Sequence, residues 1–206
     1  MDTINIVKQI AQILASLTIV STAIIAVYAW KNEYIGKKNI ELAEEILALF
    51  YEARDAIAYI RNPIGYVGES KNRKASSNET ELESHVYDFE YVIKERFNKN
   101  MPLFNKVYAM RYKYMARFGS DRGKPFEKLQ NIVLDIDLAV KLYIKAWKEY
   151  LASNSKNDKE YKKHLEEMKK YEYVFWYMPY QKDDITPRVE AVIKEIETQA
   201  LKTIKK

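Results

Sequence analysis

The chain has 206 residues, 48% apolar and 31% charged, a balance that suits one folded domain with a short appendage and excludes wholesale disorder. Five Gly and five Pro supply too little turn chemistry for a many-stranded sandwich or barrel, and the absence of Cys removes disulfides, thiolate metal sites and cysteine nucleophiles. The net charge of +5 comes from Lys and Arg spread in mixed-sign runs, which suits solvated helix faces better than a nucleic-acid-binding strip.

Residues 1–8 form a short tail. From Gln9 to Trp30 no side chain carries a formal charge. As a helix this stretch is about 33 Å long, enough to cross a hydrocarbon core of about 30 Å. Tyr28 and Trp30 stand at its end, where amphipathic rings favour the headgroup layer. A signal peptide has a shorter apolar region behind a positive flank, so residues 9–30 are expected to form a transmembrane helix in contact with a lipid bilayer. Lys8 precedes the span, and Lys31, Lys37 and Lys38 follow it. That bias points the C-terminal bulk to the cytoplasm.

One face of the span carries only small residues: Ala11, Ala15, Thr18, Thr22, Ala26 and Ala29. Small residues let helix backbones approach closely in lipid, so this stripe is the expected contact of a homo-oligomer.

The rest of the chain reads as helices. Residues 31–39 form a juxtamembrane stalk whose one breaker is Gly36, and 40–206 form a cytoplasmic helical domain. Ile46, Leu49, Phe50, Ala53, Ile57 and Ile60 recur at helical spacing up to Pro63, which ends the segment. A flexible loop is expected at 62–78. Thr80 with Glu83 is a capping-box pattern opening the next helix. Pro102 is expected to open another, and Gly119 to close it in a left-handed cap. Pro125 opens the clearest period, from Phe126 to Trp147. Asp158 and the pair Thr186-Pro187 are expected to start the last two helices. No segment shows a period of two. The fold class is all-α, a transmembrane helix followed by a bundle of about five to six helices.

Candidate chemistry is sparse. The loop residues Arg61, Lys71, Arg73 and Lys74 suggest a place for an anion or an acidic partner. Gly65 and Gly68 lack the spacing and the preceding strand of a phosphate loop. Arg54 and Asp137 sit beside core-facing stripes, and opposite charges so placed are expected to pair with each other. Neither His85 nor His164 has a Glu three residues before it, so a di-metal bundle is not supported. No metal, cofactor or catalytic residue is expected. A helical ribonuclease of the HEPN type carries Arg-x4-6-His, and no arginine stands so to either histidine. The aromatic run Tyr171, Tyr173, Phe175, Trp176, Tyr177 and Tyr180 reads as core packing, with a protein or membrane-surface contact as the other option.

The block Glu41–Asp55 with Ile60–Gly65, and Met115–Gly119 followed by Pro125-Phe126, resembles a block in bacterial single-span proteins to which no activity is attached. The resemblance covers about residues 10–150. A short anchor with a cytoplasmic helical domain is similar to small membrane accessory proteins of type VI CRISPR and other phage-defence systems. That resemblance implies assembly at the membrane and a place as effector or accessory in phage defence. With the sparse chemistry and the small-residue stripe, the expectation is a non-enzymatic protein that self-associates and meets a cytoplasmic protein partner. Two alternatives stay open, an oligomeric pore and a divergent HEPN-like RNA-processing domain without its motif.

Overall fold

The computed structural model describes residues 2–65, 68–152, 158–177 and 183–205, and these contain helices, turns and no strand. Five α-helices follow one another: α1 (Asp2–Ile60), α2 (Glu81–Phe118), α3 (Lys124–Ala152), α4 (Asp158–Phe175) and α5 (Ile185–Ile204), with a 3-10 turn at Ser120–Gly123.

Span, stalk and first bundle helix are one element. At 59 residues, α1 is about 88 Å long. Gly36 does not interrupt it, because a lone glycine inside a helix costs only about 1 kcal/mol against Ala. The two halves of α1 have opposite environments. Residues 3–34 are exposed throughout, whereas Leu42, Ile46, Leu49, Phe50, Ala53, Ile57 and Ile60 are buried.

Pairs along neighbouring helices fix the topology. Arg117 near the end of α2 donates to the Asn39 side chain and the Ile35 carbonyl, while Arg96 reaches the carbonyls at the far end of α1, so the two helices are antiparallel. Tyr51 donates to Glu197, and Arg61 meets Thr186, which sets α5 antiparallel to α1. Arg111 with Glu127 and Lys148 with Glu90 set α3 antiparallel to α2. Tyr143 against Phe175 begins the α3–α4 pairing. The core gathers where these helices meet. Phe50 stands edge-on to Phe126 at 4.9 Å, Tyr114 and Phe118 close one end, and Phe89, Tyr143, Phe175 and Trp176 fill the other.

Local chemistry explains the boundaries, with three departures from expectation. The Thr80–Glu83 capping box forms as read. Pro102 does not open a helix but lies inside α2. Its missing N–H forgoes one backbone bond, and burial of Phe97 before it and Phe104 and Val107 after it holds both turns on the same core. Gly119 takes φ 103° with ψ 154°, a positive φ but not the left-handed cap, and its N–H still donates to the Met115 carbonyl at 2.8 Å. Thr186 does not cap α5. Asp183 does, accepting from the backbone N–H groups of Ile185 and Thr186 at 3.0 and 3.2 Å. The side chain of Asp158 lies outside the described residues, as does Tyr180 of the aromatic run. Within that run Phe175 is core, while Tyr173 and Tyr177 are exposed.

Candidate functional site

Two features stand out from an ordinary helical bundle: the bare half of α1, and a pair of buried arginines at the opposite end of the packed half. The bare half presents Ile10, Leu14, Leu17, Val20, Ile24 and Val27, each more than half exposed. Isolated exposed apolar side chains are normal, but a contiguous apolar column of this length marks a surface meant for lipid or protein. The stretch is long and apolar enough to cross a membrane, with none of its most apolar window buried. Trp30 and Tyr34 stack at its end with centroids 6.0 Å apart.

All six small residues of the stripe lie on this exposed half. Thr18 and Thr22 already donate their hydroxyls one turn back, to the carbonyls of Leu14 and Thr18 at 2.9 and 2.8 Å. Their protons are spent within the helix, so a partner helix finds only acceptor capacity there. Close backbone approach therefore contributes more to any association than the threonine hydrogen bonds do.

At the far end of α1 the chain turns at Asn62-Pro63 and leaves backbone carbonyls without helical partners. Arg96, 2% exposed, fills that role from α2. Its guanidinium donates to the Asn62 carbonyl at 2.7 Å and the Ile64 carbonyl at 3.3 Å, and grips Glu69 with two bonds of 3.0 and 2.7 Å. Arg61, equally buried, joins three helix ends. It donates to the Val174 and Trp176 carbonyls at the end of α4, to Asp183 at 2.8 Å and to Thr186 at 3.0 Å. In return its own carbonyl accepts from the Tyr177 N–H at 2.8 Å. Burial pushes the Asp183 carboxyl up, but the hydrogen bonds from Arg61 and Thr186 more than offset it and hold it below the usual carboxylate range.

The expected anion-binding loop is therefore corrected. Arg61 is consumed by Asp183 and by carbonyls. Arg73 is consumed by Glu79, Asp88 and Ser84, which tie the loop to the start of α2. Both cations face internal carboxylates and are not free for a ligand. Lys71 and Lys74 are exposed on the same segment.

The expected Arg54–Asp137 pair is also corrected. Arg54 donates to its neighbour Asp55 at 3.0 Å, and Asp137 accepts from Lys141 at 2.6 Å, one turn along α3. Both positions border a stripe without entering it. Each side chain keeps enough solvent to pair locally, so no desolvation forces them together.

Sequence reasoning missed Arg96, Glu69 and Asp183. Arg96 carried a signal: it stands on the stripe of Ile93 and Phe97, where an arginine has no solvent to reach. Beside Arg61 lies a cleft of about 430 Å³ lined by Arg54, Asp55, Asn62, Tyr177 and Glu190. Its charges are of both signs, and Arg54 is already bonded to Asp55, so it offers no one-signed field to a charged ligand. His85 is exposed and His164 half-buried. No three His, Asp or Glu side chains converge among the described residues.

Comparison with protein-family models, with curated proteins and with solved structures finds no significant match for this chain.

Proposed function

We propose that the chain is a single-span protein of the bacterial inner membrane, anchored by residues 9–30, whose helical domain faces the cytoplasm and acts through protein–protein contacts. The observation that carries this reading is the division of α1, bare and apolar before Lys31 and buried from Leu42 onward. A water-soluble helix would not expose every large apolar residue of so long a stretch. Orientation rests on Lys31, Lys37 and Lys38 outweighing Lys8. Self-association rests on the small-residue face. A non-catalytic role rests on composition, with no Cys and two separated His. An accessory or effector place in phage defence is drawn from the likeness of architecture alone.

Carbonate extraction followed by protease protection in inverted and right-side-out vesicles tests the placement. The expected result is a carbonate-resistant protein whose domain is digested only in inverted vesicles. Release by carbonate overturns the anchor, and digestion in right-side-out vesicles overturns the orientation.

A further inference from the structure

Building on the membrane-anchored reading above, we propose that a basic pocket at the membrane-facing end of the bundle takes the phosphodiester headgroup of an anionic phospholipid. The pocket, of about 600 Å³, lies between α1, the turn joining α2 to α3, and the end of α5. Gly36, Tyr114, Arg122, Gln199, Lys202 and Thr203 are among its lining residues. They come from three stretches of chain distant in sequence.

Its depth is fixed by the continuous helix. Gly36 stands six residues past Trp30, about 9 Å along an unbroken α-helix. With Trp30 at the edge of the hydrocarbon and the span tilted by about 20°, that rise is about 8 Å along the membrane normal, which sets the membrane-facing rim of the pocket at the outer boundary of the headgroup layer, roughly 5–8 Å beyond the core on each side. The pocket thus opens at the outer boundary of the headgroup layer, facing the lipid phosphates.

Its chemistry points the same way. Arg54, Arg61, Arg73, Arg96 and Arg111 are each at least partly buried, and each meets a carboxylate. Arg122 is partly buried too, yet has no carboxylate partner among the described residues, nor has Lys202. A cation withdrawn from water without a counter-charge is costly, and a phosphodiester supplies that charge with oxygens suited to a guanidinium fork. Arg122 also lies within electrostatic reach of the buried Tyr114 hydroxyl, which burial pushes up and the guanidinium charge pulls back. The Gln199 Oε1 is buried with no hydrogen-bond partner among the described residues, an acceptor left for a headgroup hydroxyl or ammonium. Asp121, the chain neighbour of Arg122, is exposed and does not line the pocket. At Gly36 an added Cβ meets nothing within 4 Å, so the wall there is bare and open.

The test uses the full chain in nanodiscs of phosphatidylcholine, with or without phosphatidylglycerol, and counts lipids retained in native mass spectrometry. Wild type should keep phosphatidylglycerol over phosphatidylcholine. The double change Arg122→Gln with Lys202→Gln should cut that retention about tenfold or more. Gly36→Leu should cut it comparably while leaving every charge in place, since the leucine occupies the pocket. Circular dichroism must show both variants folded, and the charge variant serves if the leucine variant is not. Equal retention of the two lipids by wild type overturns the proposal, as does unchanged retention in a folded variant. Stabilisation by inorganic phosphate in phosphatidylcholine discs, lost in the same variants without any lipid preference, overturns the lipid assignment in favour of a free anion. Carbonate extraction run beside these samples separates the two readings. A released wild type defeats the anchor, whereas a retained wild type without lipid preference defeats the pocket alone.

Discussion

Arg61 and Arg96 show how a charged residue becomes structural. Each occupies a buried position and is surrounded by acceptors that the helix ends could not otherwise satisfy. Removing one partner of such a group leaves buried carbonyls and a carboxylate uncompensated. Arg61→Ala should therefore cost about 3–5 kcal/mol in urea unfolding, whereas Arg54→Ala, beside solvent, should cost less than about 1 kcal/mol. Similar losses at both sites would count against the clasp. Asp183 adds a pH signature. Its folded-state pKa is lowered, so the stability it contributes is present above its unfolded pKa near 3.9 and drains as pH falls through the folded value. Acid unfolding below about pH 4 should be shallower in Asp183→Asn than in wild type. An identical acid limb would show that the carboxylate is not held by Arg61.

Among the elements, α1 runs as one continuous helix from the exposed apolar stretch into the core. No linker separates the two halves, so they are mechanically joined through residues 31–41, and Arg117 braces that joint from α2. The small-residue face is where protomers should meet. Because the Thr18 and Thr22 hydroxyls are bonded within the helix, their gain across an interface should not exceed the membrane average of about 0.6 kcal/mol each. Bulk at the contact should matter more. Thr22→Leu should lower the cross-linked or mass-photometry oligomer fraction in detergent, while Ile24→Leu on the opposite face of the helix should not. Equal behaviour of the two variants would place the contact elsewhere.

Considered whole, the molecule keeps its buried core entirely at Leu42 and beyond. Removal of residues 2–30 should leave a detergent-independent bundle with unchanged cooperative urea unfolding, because no core contact is lost. A truncated chain that unfolds or aggregates would show that the anchor half also stabilises the domain. The same scale reveals the charge pattern. Arg122 and Lys202, far apart along the chain, come together at the end of the bundle nearest the exposed half of α1, because the α2–α3 turn and the end of α5 both lie against α1 there.

The sequence by itself determined the elements that depend on neighbours a few residues away. The apolar stretch Gln9–Trp30, the capping box at Thr80, the stripe from Phe126 onward and the all-helical class are local periodicities and local hydrogen bonds, readable without a fold. The boundary expected at Pro102 does not form because its cost is local and about 3 kcal/mol, while the packing of flanking Phe97 and Phe104 is tertiary and larger. The choice of charge partners was decided only by the tertiary structure. Arg54 and Asp137 border the core and stay solvated, so they bond to Asp55 and Lys141. Arg61 and Arg96 are withdrawn from water and must take whichever acceptors the meeting helix ends present. Which carbonyl or carboxylate that is depends on how five helices stack, and no spacing along one helix encodes it.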